Sequence, residues 1–319
     1  MGCKVGVAWG QELLSYSFPK PHPFRYERVV AFYERLNTLR NDLEGSLVFV
    51  DPEQAAIEDL LLFHDPEYVG FVRRMSERGE GYLDYGDTPA FKGCYEASLY
   101  VVGSTLKLAK LILGGEIDHG FNPVGGLHHA RRGSAGGFCI FNDAAILIKY
   151  LLEKAGLSEI LYVDIDAHHG DGVFYSFYSD KRVRILDFHQ SGRTLYPGTG
   201  FEHERGVGEA VGTKLNITFL PGAGTEEFKE SWNLMAEKFL SESDPDFIIL
   251  QAGADGLAGD PLTGLSYSEE VHAFVASKLH KLAHEKCDGR ILALGGGGYD
   301  PDNVAKAWTA VVKAFATRS

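Results

Sequence analysis

Residues 160–172 read Ile160-Leu161-Tyr162-Val163-Asp164-Ile165-Asp166-Ala167-His168-His169-Gly170-Asp171-Gly172, and the fold follows from this stretch. The apolar run at 160–163 has the pattern of a strand buried on both faces, as in a parallel sheet. Three aspartates and two histidines follow within eight residues, then glycines that permit a sharp turn. In open α/β sheets, ligands bind beyond the carboxyl ends of the strands, which is where this cluster falls. Asp166 and His168 stand two apart, so an extended backbone projects both to one side, with Asp164 one layer deeper. A carboxylate and an imidazole offered together begin a divalent-metal site. The plainer reading is that they cap the helix expected at 170–178, but a cap needs one Asp and not this density.

Working outward, residues 122–143 hold a second chemical concentration. It contains Gly126-Leu127-His128-His129-Ala130 and Gly137-Phe138-Cys139-Ile140-Phe141-Asn142-Asp143. The segment is too rich in Gly, His, Arg and Pro for a regular element and reads as ordered loop. Asp143 is expected to cap a helix reaching about residue 154. Two adjacent histidines face one pocket if the turn is tight; otherwise they are surface residues. The glycines at 133–137 lack both the dinucleotide spacing and a P-loop lysine.

Downstream, a strand at 183–188 ends in Asp187-Phe188-His189, and a loop follows through Tyr196. Strands at 214–219 and 247–251 flank a helix at 225–240, and the second breaks into a loop carrying Asp255. A helix at 268–285 precedes a strand at 291–294 that breaks into four glycines and Tyr299. A last helix runs from 301 to about 317. Upstream, strands at 4–9 and 46–50 bracket a helix at 26–40. Pro52 and Pro66 are expected to open helices. An acidic loop at 81–89 carries Asp84, Tyr85 and Asp87, and a long helix spans 95–113. Strand and helix alternate without linker or repeat, so a single doubly wound α/β domain over 1–319 is expected.

The chain has 319 residues, 45% hydrophobic and 24% charged, the composition of an ordinary soluble globule. No apolar run approaches the roughly 20 residues that span a bilayer, and no signal-peptide order is present at the start. Met1-Gly2-Cys3 hints at lipidation, but Gly6 stands where myristoylation wants Ser or Thr. No membrane association is expected. A formal charge of -13 disfavours nucleic acid and favours cationic substrates by steering. The four cysteines are scattered, with no C-x-x-C pair. That fits a reducing compartment, the cytoplasm, and speaks against a structural zinc site of the cysteine type. Oligomeric state is not legible.

Asp166, His168 and Asp255 supply two carboxylates and one imidazole, leaving positions open for water and substrate as a catalytic zinc site requires. The oxygen-rich set also suits Fe(II), Mn(II) or Co(II). His128 and His129 would then act as general base and acid, oriented by Asp164 and Asp171. Tyr299 would donate to a developing oxyanion.

The motifs around His128–His129, 137–143, 164–172 and 295–299 resemble those of the histone deacetylase superfamily, nearest its prokaryotic branch of deacetylase-like and acetoin-utilisation proteins. The resemblance spans essentially the whole chain. It implies the three-layer arginase/deacetylase fold, α/β with a central, mostly parallel sheet of about eight strands flanked by helices. It implies zinc at Asp166, His168 and Asp255, and His128 and His129 hydrogen-bonded to Asp164 and Asp171 respectively, with His129 as general base. It makes Tyr299 the carbonyl-polarising residue. Phe138 and Tyr196 would wall an acyl-lysine channel lined by Gly137, with Leu262 at its rim and Asp87 holding substrate amides. A structural potassium ion is implied at carbonyls around Asp164, Asp166, His168 and Phe188. Asp187 stands where that site has a serine, so its carboxylate either holds the cation more tightly or pairs elsewhere.

The reaction so implied is metal-assisted removal of an acetyl or other acyl group from an amine, with acetylated protein lysine as first substrate and a small acetylated amine as second. A ureohydrolase of the arginase kind would need a late Asp-x-Asp pair, but Gly253 and Leu257 flank Asp255 at that spacing. A non-catalytic acyl-amine binder is the alternative outside enzymes.

Overall fold

The structure, a computed structural model, describes residues 2–317; Met1, Arg318 and Ser319 of the expected domain lie outside them. Eight strands form one parallel sheet: β1 (Val5–Ala8), β2 (Leu47–Val50), β3 (His119–Asn122), β4 (Ile160–Asp164), β5 (Val183–Gln190), β6 (Lys214–Phe219), β7 (Phe247–Gln251) and β8 (Ile291–Leu294). Their order across the sheet is β2-β1-β3-β8-β7-β4-β5-β6. Strands β4, β5, β7 and β8 are buried at every residue, as a sheet covered on both faces demands.

The helices are α1 (Glu27–Thr38), α2 (Ile57–Leu60), α3 (Pro66–Arg78), α4 (Cys94–Leu113), α5 (Asp143–Glu153), α6 (Asp171–Ser176), α7 (Thr225–Ser231), α8 (Glu237–Ser241), α9 (Glu270–Lys286) and α10 (Pro301–Ala316). Side-chain alternation along β3 shows how they make two layers. Phe121 packs on Phe32 of α1 and Trp308 of α10. At the preceding Gly120, a Cβ would instead meet Leu108 and Ile112 of α4. Among the described residues, no helix is long and apolar enough to cross a membrane.

Four sequence expectations are corrected. Strand β3 was not expected, because His119, Gly120 and Asn122 do not read as a buried strand. Its polar groups find distant partners: Asn122 Nδ2 donates to Val101 O and Thr105 Oγ1, and His119 Nδ1 lies 2.8 Å from Gly289 O. The cap of α5 is Asn142, whose side chain accepts from Ala145 N, and not Asp143. Pro52 opens no helix; α2 begins at Ile57. The helix expected at 225–240 is split by a wide π turn, Trp232–Ala236. There the buried Trp232 ring stacks on Phe188 at 5.6 Å, and the extra residue in the turn accommodates it.

Candidate active site

The loops after β4, β7 and β8 meet the His128 loop at the carboxyl edge of the sheet. Asp143, freed from capping, is the reason that loop is where it is. Its carboxylate accepts from Gly126 N, Leu127 N and Thr105 Oγ1, the last at 2.7 Å. Asn142 Nδ2 ties the other side of the loop by donating to His128 O and Ala130 O.

Asp166, His168 and Asp255 converge at this edge. Their ligand atoms all lie within 4.8 Å of one another. His168 Nδ1 is 2.8 Å from Asp255 Oδ2 and 3.2 Å from Asp166 Oδ1. The outward oxygens are occupied: Asp166 Oδ2 accepts from Gly297 N and Gln251 Nε2, and Asp255 Oδ1 accepts from Ala167 N. Gly297 has to be glycine, since a Cβ there would lie 2.4 Å from Asp255 Oδ2. Burial, then repulsion from Asp166, push the Asp255 carboxyl up to about 7. Burial opposes a charge on His168, but Asp255 and Asp166 override it and lift the imidazole to about 10. Two buried carboxylates face to face are stabilised by a positive charge between them. Either His168 carries it as a proton, or a divalent cation does while neutral His168 offers its lone pair. Two carboxylates and one imidazole fit such a cation.

The paired histidines sit beside this triad. His128 Nδ1 is 2.8 Å from Asp164 Oδ2, and His129 Nδ1 is 2.8 Å from Asp171 Oδ1. Their Nε2 atoms face each other at 3.0 Å, a contact that takes one proton between two lone pairs. Burial, then His128, push His129 down to about 4, which favours its neutral ring. The two supporting carboxylates differ. Burial, with Asp187 and Asp166 near, holds Asp164 well above the usual carboxylate range. Burial also opposes charge on Asp171, but His129 and Arg131 outweigh it and bring Asp171 to about 2. Arg131 Nη2 donates to Asp171 Oδ2 at 2.8 Å.

Tyr299 lines the same inner pocket as His128, His129, Asp166 and His168, where ≈ 10 Å³ remains, about one water. Burial, then Asp255 and Asp166, keep its phenol protonated. Phe138 meets the Tyr299 ring edge-on at 5.8 Å, and the Tyr196 ring lies 5.1 Å from His129. Phe138 holds φ 68, a strained value for a bulky residue. Bonds from Tyr16 Oη to its carbonyl and from its N–H to Thr88 Oγ1 fix it there. Gly137 must be glycine, because a Cβ would sit 2.3 Å from His129 Cδ2. Asp87, Tyr196 and Asp171 line a wider mouth of ≈ 480 Å³ with Asp84, Tyr85 and Arg131. Leu262 is 38% exposed on a loop held by Asp260, and it lines neither this mouth nor the inner pocket.

Asp187 stands opposite Asp164 in the β4–β5 register, and its carboxylate is already paired. Its Oδ1 is 2.7 Å from His189 Nδ1, and its Oδ2 accepts from Gly170 N. Four residues near the site went unread in the sequence. Arg28, buried in α1, donates to Gly296 O and Gly298 O and so holds the turn that presents Tyr299. A charge on the apolar stripe shared with Val29, Phe32, Tyr33 and Leu36 was its available signal. Asp260 Oδ2 accepts from Tyr299 N. Gln251 and Tyr16 carried no local signal at all.

Residues 22–315 match the histone deacetylase domain. The chain is 39% identical over 309 residues to the acetoin utilization protein AcuC of Bacillus subtilis (strain 168), covering 95% of this chain and 78% of that protein. It is 35% identical over 298 residues to a probable deacetylase of Archaeoglobus fulgidus, covering 92% and 81%. The crystal structure of the HDA15 HD domain superposes with a TM-score of 0.90 at 28% identity, covering 98% of this chain and 88% of that one.

Proposed function

The chain belongs to the histone deacetylase family and is a hydrolytic deacetylase with the arginase/deacetylase fold, and we propose that it removes acetyl groups from lysine side chains with a zinc ion held by Asp166, His168 and Asp255. One observation carries this reading: Asp166 and His168 of a carboxylate–imidazole triad, a His–His pair with separate aspartate partners, and a protonated tyrosine line one pocket. Bound at the triad, zinc supplies Lewis acidity to a carbonyl oxygen and to a water.

The remaining work belongs to the protein's own groups. His129 takes the proton of the attacking water, and ionised Asp171 balances the imidazolium that forms. Tyr299 donates its hydroxyl hydrogen to the acyl oxygen as that oxygen gains charge. A protonated histidine of the pair then delivers a proton to the amine nitrogen as the acyl C–N bond breaks and the carboxylate product is left. Phe138 and Tyr196 flank an unbranched apolar stem, Gly137 lets it pass His129, and Asp87 accepts from substrate amides at the mouth.

We read the whole of 1–319 as one catalytic domain acting in the cytoplasm, in keeping with a described chain that contains no disulfide. For potassium, the carbonyls around Asp164, Asp166, His168 and Phe188 are the holders. Because Asp187 is already paired with His189, little dependence on the ion is expected. A ureohydrolase would require a second ligand set at this pole, and among the described residues the only cluster there is the triad.

One observation favours a second substrate class, an acetylated polyamine: Asp84 and Asp87 place two carboxylates at the mouth. Amine release from acetyl-lysine peptides and N-acetylpolyamines, with zinc-loaded protein and Tyr299→Phe as control, tests both. Peptide turnover lost in the variant supports the lysine reading, and a higher kcat/KM on polyamines replaces it. Turnover unchanged in Tyr299→Phe would sink the mechanism.

A further inference from the structure

The opposite pole of the sheet holds a second constellation. Cys3, just ahead of β1, meets His119, the first residue of β3, and His280 and His284 in the last turns of α9. The four ligand atoms lie within 4.8 Å of one another. Cys3 Sγ is 3.6 Å from His284 Nε2 and 3.8 Å from His280 Nε2, and His284 Nε2 is 3.4 Å from His119 Nε2. A tetrahedral zinc with ordinary Zn–S and Zn–N lengths puts its ligands roughly 3.6 Å apart for S···N and roughly 3.3 Å for N···N. These three separations already approach those of a coordination shell.

Further features of the cluster agree. His280 and His284 are four apart on one helix face, the spacing by which a helix offers two imidazoles to one ion. His119 Nδ1 lies 2.8 Å from Gly289 O, so it donates there and its Nε2 presents a lone pair to the cluster. All three ring pairs are close, with centroids 4.6 to 5.2 Å apart, and none is stacked face to face.

We propose that Cys3, His119, His280 and His284 form a closed structural zinc site that staples the leader of β1 to the end of α9, on the far side of the sheet from the catalytic pocket. One thiolate and three imidazoles make a soft donor set that selects zinc over magnesium, calcium or manganese. Four protein ligands leave no position for substrate, so the site stabilises and does not catalyse. Binding releases the Cys3 thiol proton, and the rings enter as neutral ligands. The cysteines' scatter speaks against such a site only while cysteines alone are counted.

Cobalt tests the proposal, because of the two ligand clusters among the described residues this one contains a cysteine and the triad does not. Full-length protein and the His168→Ala variant, which disables the catalytic triad, are titrated with Co2+ while near-ultraviolet thiolate-to-cobalt charge transfer is recorded. The expected result is a band in both proteins, saturating at one equivalent per chain in His168→Ala, and lost in Cys3→Ser and in His284→Gln. Both substituted positions are only partly buried, and far-ultraviolet circular dichroism checks that the variants fold. A wild-type protein without the band, or a Cys3→Ser protein that keeps it, overturns the site. Neither outcome depends on deacetylase activity, so the functional reading stands or falls separately.

Discussion

The two poles of the sheet gather similar chemical groups by opposite routes. At the carboxyl pole, two of the three triad members come from one local run, Asp166 and His168. At the amino pole the four groups come from positions 3, 119, 280 and 284. The carboxyl set is two-thirds oxygen and opens onto a pocket and mouth, whereas the amino set is nitrogen and sulfur and lines neither. Oxygen donors with open positions suit a metal that must accept water and substrate. A closed nitrogen–sulfur shell suits one that only holds chain segments together.

The sharpest break of this comparison is to remove one pole at a time. His168→Ala is expected to reduce acetyl-lysine hydrolysis to background while leaving the amino-pole cobalt spectrum intact. His129→Ala is expected to lower kcat by roughly 10²–10⁴. Retained activity in either variant, measured by acetate release, would remove the carboxyl pole from the chemistry.

Tyr299→Phe tests the same pole more finely. It is expected to cost roughly 10²–10³ in kcat with KM little changed, since the hydroxyl acts on charge that develops only during reaction. A rise in KM alone would reassign Tyr299 to substrate binding.

At the amino pole the expected effect is on stability. With free zinc at about 100 times its Kd for that site, protein with the triad disabled should gain about 2.7 kcal/mol in denaturant unfolding. The additional Cys3→Ser change should abolish that gain. An equal gain in both would place the stabilising ion elsewhere.

Acid distinguishes the poles without mutation. In chelator, burial holds His64, His119, His272 and His280 neutral, each lowered to about 4. Between about pH 6.5 and 4 the unfolded chain binds more protons at these rings, so stability should fall with pH by up to about 1.4 kcal/mol per unit for each. His64 illustrates the cost: Asn142 N donates to its Nε2 while its Nδ1 faces Arg132 O, an arrangement only the neutral ring satisfies. With the triad disabled by His168→Ala, zinc should move the midpoint of this acid transition to lower pH, and the additional Cys3→Ser change should abolish that movement when unfolding is followed by tryptophan fluorescence.

The smallest effect concerns Asp187. Because it is engaged by His189 and Gly170, replacing potassium by a bulky cation should alter wild-type turnover little, while Asp187→Ser should increase the dependence. The reverse order would assign the carboxylate to the cation itself.

Much of the carboxyl pole was legible in the amino-acid sequence for a physical reason. A strand with buried faces must be apolar, and the residues just past its end face one direction at a spacing of two. Asp164, Asp166 and His168 therefore announce a site, and the alternation of apolar strands with helices announces the parallel sheet around it. Only the tertiary structure decided the rest. It turned Asp143 from a helix cap into the cradle of the His128 loop, and paired Asp187 with His189. It placed β3 beside β1 and β8 despite its polar residues, brought Arg28 under the Tyr299 turn, and joined Cys3 to three remote histidines. These partners lie up to 281 residues apart, as Cys3 and His284 do. Local spacing carries no record of such encounters, because sheet order and helix packing bring those positions together.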